Sequence, residues 1–225
     1  GAEVEVIEFL DEVIPGNDEE IRKSFRKVLE KQGMKFRLST KVTGAKADKK
    51  GVTLTIEAAV GGNAEEVKAD IVLVAIGRKP NTKNLGLKEV GINVDDRGRI
   101  ATNGHFQTNV AGIYAVGDVI AGPMLAHKAE EDAVAAVEIM AGQKSHVNYD
   151  LVPAVIYTHP EVACVGYSEE RCKKEGIDYV KGKFPFAANS RAKAVGETEG
   201  FVKIIADKKT DKRSEEHTSE LQSPC

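Results

Sequence analysis

Cysteine is scarce in this sequence. The 225 residues hold three, Cys164, Cys172 and Cys225. That is too few for a disulfide scaffold, and the odd count is expected of free thiols in a reducing compartment. Seven residues separate Cys164 from Cys172, a spacing of neither a redox Cys-x-x-Cys pair nor a metal pair. A basic excess is also missing. Lys plus Arg is 32 against 35 for Asp plus Glu, a formal charge of −3, which leaves nothing to recruit nucleic acid or an anionic membrane. The basic stretches Lys46 to Lys50 and Lys208 to Arg213 are short and fall on expected turns. No apolar run approaches the ~20 residues of a membrane-spanning helix. The longest, Ile71 to Ile76, has the length of a buried strand. Gly1-Ala2-Glu3-Val4 carries no basic or apolar leader pattern, so a signal peptide is not expected.

What is present reads as alternating strands and helices. Val4 to Phe9 alternates like a strand buried on both faces. Asn17-Asp18-Glu19-Glu20 then offers helix caps and first-turn acids. Ile21, Phe25, Val28 and Leu29 follow at helical spacing, and Gly33 sits past the end. Strand-like stretches at 35–38, 41–47, 52–58 and 65–69 are broken by Lys49-Lys50-Gly51 and Gly61-Gly62-Asn63. Ile71 to Ile76, stopped by Gly77, predicts a parallel-sheet strand covered on both faces, and Ile113 to Val116 predicts a second. Ala126, Ala129, Ala133, Ala136, Val137 and Met140 predict a helix with a small-residue inner face. Beyond Gly142 the texture turns α+β, with strands at 152–157, 162–165 and 201–206 around a helix over 168–176, so a domain boundary is placed near Tyr149-Asp150. Arg213 to Cys225 contains a single aliphatic residue, Leu221, and by composition is a disordered tail.

Three places carry candidate chemistry. Glu8 closes the first strand, where an acid in a dinucleotide-binding fold accepts hydrogen bonds from the ribose hydroxyls of NAD. Taken alone, an exposed acid at a strand end is much the better explanation. Gly77 ends the apolar strand, where open α/β sheets bring ligands against the backbone, although a plain turn accounts for Gly77-Arg78 in isolation. Gly117-Asp118 ends the second apolar strand, and Met124-Leu125-Ala126-His127 opens the next helix. Asp118 suits a sugar-alcohol chain, and the helix N-terminus suits an electron-rich oxygen or a reduced flavin ring. An Asp acting as a helix cap is the equal alternative. Thr158-His159-Pro160-Glu161 reads as a turn, because His159 is pinned before a proline and Glu161 is too near in sequence to orient its ring.

Together these segments resemble the flavoprotein disulfide reductases of the pyridine nucleotide-disulfide oxidoreductase family, and among them they look most like the dihydrolipoamide dehydrogenases. The runs that carry the resemblance are Val42-Thr43-Gly44-Ala45, Ile76-Gly77-Arg78-Lys79-Pro80, Gly112-Ile113-Tyr114-Ala115-Val116-Gly117-Asp118, Gly122-Pro123-Met124-Leu125-Ala126-His127-Lys128-Ala129-Glu130 and Phe184-Pro185-Phe186-Ala187-Ala188-Asn189-Ser190-Arg191-Ala192. The last two are the most specific.

The resemblance implies an α/β chain holding parts of two Rossmann-like dinucleotide-binding domains, followed by the start of an α+β dimerisation domain. Residues 1–80 would be the C-terminal part of an NAD-binding domain. Residues 81–149 would be a returning segment of an FAD-binding domain, and 150–212 the start of the interface domain. It implies FAD and NAD as cofactors, with Glu8, Val42 and Gly77 on NAD, and Asp118, Met124, Leu125, Ala126 and His127 on FAD. It also implies a homodimer, lipoyl domains of 2-oxo acid dehydrogenase complexes as partners, and the mitochondrial matrix, or the cytoplasm if the source is bacterial. No nucleic acid, membrane or metal is implied.

The departures are equally specific. The family's glycine-rich loops and its redox cysteine pair would lie upstream, and its catalytic His-Pro-Thr with the following Glu would lie downstream. Thr158 to Glu161 lacks that spacing. No catalytic residue is therefore assigned, and these 225 residues alone are expected to be inactive. Arg213 to Ser223 stands where the family continues with an apolar strand, and it resembles the translation of a sequencing-adapter oligonucleotide. Two other functions fit the residues: another reductase of the mercuric or glutathione type, the latter weakened by Glu8, and a non-catalytic flavin- or NAD-binding protein.

Overall fold

The computed structural model describes residues 1–210, and residues 213–218 by their backbone. Two compact units emerge: residues 1–74 with the chain from Val155 onward, and residues 75–154.

The first unit opens with strand β1 (Glu5–Ile7), then helix α1 (Glu19–Lys31), then β2 (Lys35–Arg37), which pairs parallel with β1 so that Val6 faces Phe36. α1 forms where the caps predict it: Asp18 is its N-cap and accepts the Glu20 N–H at 3.0 Å. Ile21, Phe25 and Leu29, four residues apart, are its buried stripe. An antiparallel meander follows, β3 (Thr40–Asp48), β4 (Gly51–Ala58) and β5 (Glu65–Ala69), with Leu54 and Ile56 buried on one face of the central strand.

The expected strand over Ile71 to Ile76 does not form. Ile71, Leu73 and Ile76 are 85%, 86% and 94% exposed, and no strand pairs with them among the described residues. The apolar run encodes a strand covered on both faces, but a strand needs neighbours to take its main-chain donors and acceptors.

The second unit is built on a core of Ile92, Ile100, Phe106, Ala115, Ile120, Ala135 and Ala136. Ile113 to Val116, expected as a strand, is irregular, with one isolated bridge between Gln107 and Tyr114. Helix α2 (Ala126–Met140) forms as expected but turns a different face inward. Lys128, Asp132, Ala135 and Ala136 are buried, whereas Val137 and Met140 are exposed. The two charged residues are drawn in because each finds polar partners, described below.

The chain then returns to the first unit through β6 (Ala154–Ile156), β7 (Val162–Gly166), α3 (Glu169–Glu175), β8 (Tyr179–Pro185), α4 (Ser190–Val195), β9 (Phe201–Asp207) and β10 (Arg213–Thr218). The sheet order is β6-β7-β10-β9-β8, with β10 antiparallel to both neighbours. Composition predicted disorder from Arg213, but residues 213–218 are a strand. A slot between two strands is filled through main-chain hydrogen bonds, which any non-proline sequence supplies. Residues 219–225 of the expected tail lie outside the described residues.

Val13, Ile21, Phe25 and Leu29 pack with Val162 and Phe201, so the two segments of the first unit share one core. A buried polar junction fastens them as well. Asp18 Oδ2 accepts the N–H of Glu169, the first residue of α3, at 3.3 Å, and Glu170 Oε1 accepts the Glu19 N–H at 2.7 Å. The N-termini of α1 and α3 thus share carboxylates. Lys203, in β9, donates to Asp18 Oδ1 at 2.7 Å and pairs with Glu169, with Glu20 Oε2 at 3.3 Å. Tyr179 donates to Glu169 Oε2 at 2.7 Å.

Burial pushes the Asp18 and Glu169 carboxyls up, but Lys203 and the other donors outweigh it. Asp18 ends below the usual carboxylate range and Glu169 is held at about 2. The Glu169 carboxylate pushes the Tyr179 phenol up to about 12. Asp18, Glu20 and Glu169 form the acidic group tight enough for a cation among the described residues, and the Lys203 ammonium already fills it.

Candidate functional site

In the second unit, the site is a turn facing a helix end. Gly117 adopts φ +74°, and a Cβ placed on it would come 3.0 Å from the Ala129 Cβ, so the turn runs tight against α2 and glycine alone suits it. Gly117–Val119 is one 3-10 turn, with Asp118 half-buried on it. Asp118 makes no hydrogen bond or ion pair to another described residue, so it is not the helix cap that the sequence left open. α2 begins at Ala126 after Leu125, which supplies no side-chain cap, and there is no acid in the first turn. The free N–H groups and partial positive charge of α2 therefore remain available.

Met124 and Leu125 are half-buried beside that helix start, and Ala126 is exposed. The His127 ring lies 2.7 Å from the Pro153 carbonyl through Nε2, so His127 offers the site its backbone N–H rather than its imidazole. An unpartnered carboxylate next to an uncapped helix end is a donor–acceptor set that fits a polyhydroxy chain ending in an electron-rich ring, as in a flavin.

The turn is held from behind by groups the sequence reading missed. Lys128 and Asp132 are wholly buried and paired at 2.8 Å. Asp132 Oδ2 accepts the Gly117 N–H at 3.0 Å, Lys128 donates to the Gly117 carbonyl at 3.1 Å, and Tyr149 donates to Asp132 Oδ1 at 2.8 Å. Burial and the Asp132 carboxylate push the Tyr149 phenol well above its usual range. The available signal was the i, i+4 placement of opposite charges within an alanine-rich helix.

In the first unit, Glu8 follows β1 at its carboxyl end, half-buried. Its Oε1 accepts the Leu10 N–H at 2.9 Å and its main chain bonds Arg37 and Thr40, so the carboxylate is anchored by one oxygen and Oε2 is open. Val42, half exposed, lies in β3 two residues beyond Thr40, so Glu8 and Val42 come from adjoining strand ends. Gly77 belongs to the second unit. It has φ +108° and open space where a Cβ would stand, so its backbone is accessible to a ligand.

A helix end with free N–H groups and an open acid at the end of a parallel strand are the features that a dinucleotide-binding protein presents to its ligands. The family comparison agrees: residues 1–133 match the pyridine nucleotide-disulphide oxidoreductase model, and residues 152–212 match the dimerisation domain of the same family. The chain belongs to the pyridine nucleotide-disulphide oxidoreductases. Its relatives include mitochondrial dihydrolipoyl dehydrogenase of Pisum sativum, 58% identical over 212 residues, 94% of this chain and 42% of that protein. The Homo sapiens enzyme of that name is 59% identical over 215 residues, again 94% and 42%. The chain thus spans about two fifths of the length of these curated relatives. Among solved structures, the HOCl-induced flavoprotein disulfide reductase RclA of Escherichia coli superimposes with a TM-score of 0.87 at 25% identity, over 99% of this chain and 50% of that one. LpdA of Mycobacterium tuberculosis gives 0.88 at 26% identity, over 96% and 46%.

Proposed function

We propose that the whole protein is a dihydrolipoyl dehydrogenase, oxidising dihydrolipoamide to lipoamide with FAD as intermediate carrier and NAD as acceptor. The observation that carries this is identity of 58–59% to enzymes of that name across nearly the whole chain. Bound FAD would supply the electron relay between a dithiol and the nicotinamide.

This chain's own residues bind and orient. Asp118 accepts hydrogen bonds from a sugar-alcohol hydroxyl. The backbone N–H groups from Met124 to His127 and the positive end of α2 would stabilise electron density on a bound flavin ring. Glu8, through its open oxygen, would accept from the adenosine ribose hydroxyls of NAD, and Val42 in the same unit and the accessible backbone of Gly77 in the other are the further residues proposed for NAD. The segments 1–80, 81–149 and 150–212 are the NAD, FAD and interface parts of that enzyme, and the last pairs two copies of the protein. Lipoyl domains of 2-oxo acid dehydrogenase complexes are the substrate carriers, and the mitochondrial matrix is the compartment, as the names of the relatives support. Residues 213–225, beyond the family match, are a foreign tail.

The full reading frame, expressed and purified, should carry flavin and reduce NAD with dihydrolipoamide, and the 225-residue chain alone should not. A full-length protein that holds flavin yet leaves dihydrolipoamide unoxidised overturns the reading.

A further inference from the structure

We infer that Lys128, Asp132 and Tyr149 form a positioning clamp that sets the direction of Asp118 toward the flavin; the inference rests on the flavin-site reading above. The N–H and the C=O of Gly117 belong to the two peptide planes that flank it. Asp132 Oδ2 takes the first at 3.0 Å and Lys128 Nζ takes the second at 3.1 Å. The second plane contains the nitrogen of Asp118. With both planes fixed, and with the 3-10 turn closed by the Ile120 N–H on the Gly117 carbonyl at 3.2 Å to restrain φ of Asp118, the side-chain torsions of Asp118 are left to choose where its carboxylate points.

Glycine is the residue with the most backbone freedom, so an unheld Gly117 would lose that freedom only on binding. Both clamp charges sit on α2, four residues apart, and that helix presents its own N-terminus to the same site. One rigid element therefore carries the helix end and, through Gly117, the carboxylate.

The clamp is costly as a stability device. A completely buried ion pair is commonly matched or bettered by apolar residues of similar volume. Its partners are nonetheless well specified. Lys128 is paired with Asp132, donates to Gly117 and reaches the Ala121 carbonyl at 3.5 Å. Its ammonium lies 5.2 Å from the centre of the Tyr149 ring. Tyr149 fills the remaining oxygen of Asp132 at 2.8 Å. At Gly122 a Cβ would come 3.1 Å from Lys128 Cε and 3.4 Å from Tyr149 Cε2, so the chain closes tightly over the pair. A fully satisfied polar network in a core specifies one geometry where an apolar core tolerates several.

The test is a double-mutant cycle on the full-length enzyme, read as the FAD dissociation constant of the apoprotein by flavin fluorescence titration. Lys128→Met with Asp132→Leu removes both charges together, so neither is left buried alone. This pair should weaken FAD binding about tenfold or more, and Asp118→Ala should then add much less than it does in the wild type. Where the pair unfolds the apoprotein, Tyr149→Phe, which deletes one hydrogen bond to Asp132, serves in its place with a several-fold loss and the same non-additivity. Unchanged FAD binding in the clamp variant, or strictly additive effects with Asp118→Ala, overturns the clamp. If Asp118→Ala in the otherwise wild-type enzyme leaves FAD binding unchanged, the flavin-site reading itself falls, and the clamp with it.

Discussion

Lys203 Nζ lies 2.7 Å from Asp18 Oδ1 across 185 residues of sequence, and both side chains are about 1% exposed. Asp18 also caps α1 and reaches the first N–H of α3, so a single carboxylate serves two helices and a strand. Removing one partner of such a pair leaves a buried charge without compensation.

Lys203→Met should therefore destabilise the full-length enzyme by about 3–5 kcal/mol. Lys23→Met, which touches only the exposed pair with Glu19, should leave stability unchanged within error. Urea unfolding of both variants checks this. Equal midpoints for the two would show that the junction is ornamental.

Acid should loosen the same junction. Glu169 is held at about 2 against an ordinary 4.5, because Lys203, Tyr179 and Lys181 outweigh burial. Its folded value is depressed, so the unfolded chain takes up the proton first as pH falls. The stability it contributes is complete above about 4.5 and disappears as pH falls from there through 2. The gap in urea midpoint between wild type and Glu169→Gln should narrow from pH 7 toward pH 3. A gap that stays constant would contradict the assignment.

Asp118→Ala should weaken FAD retention. A hydrogen bond to a charged acceptor contributes about 1.5–3 kcal/mol, or roughly 10- to 150-fold in affinity. Bound-flavin absorbance after dialysis of the full-length enzyme measures it, and an unchanged flavin content would count against Asp118.

Glu8→Ala should narrow the preference for NAD over NADP. A 2′-phosphate removes a hydroxyl donor and sets like charges together, a discrimination that reaches about 10⁴-fold in built sites. Partial exposure and salt screening make it smaller here. The Michaelis constant for NAD should rise while the chemical step is little changed, because the ribose is remote from the nicotinamide. Steady-state kinetics with both cofactors decide: an identical preference in wild type and variant would reduce Glu8 to an exposed acid.

Local signals carried much of this architecture. Asp18, Ile21, Phe25 and Leu29 announced α1, and the strand-like stretch 52–58, bounded by turn residues, announced the middle of the meander. Ile71 to Ile76 misled because apolar composition reports what a strand wants around it, not whether a neighbour is there. β8 was passed over because Lys181, Gly182 and Lys183 break its alternation; its exposed face needs no apolar residues. Asp118 and the start of α2 were legible from Gly-Asp and the following helix pattern. What stood behind them was not, since Lys128 and Asp132 look like surface charges until their partners, 11 and 15 residues away at Gly117, are in place. Lys203 was missed in the same way, although a lysine inside Phe201-Val202-Lys203-Ile204-Ile205 was a warning.

The sharing of Asp18 between distant segments has a consequence for biosynthesis. A ribosome adding about 5–20 residues per second emits α1 on the order of 10–40 s before it reaches Lys203. During that interval Asp18 and Glu20 stand beside the nascent helix with no ammonium between them, and the inner stripe of α1 waits for Val162 and Phe201. Val13, Met34, Phe36 and Leu38 can cover part of that stripe early, but the core and the polar junction of the first unit are complete only once β7 and β9 have been made.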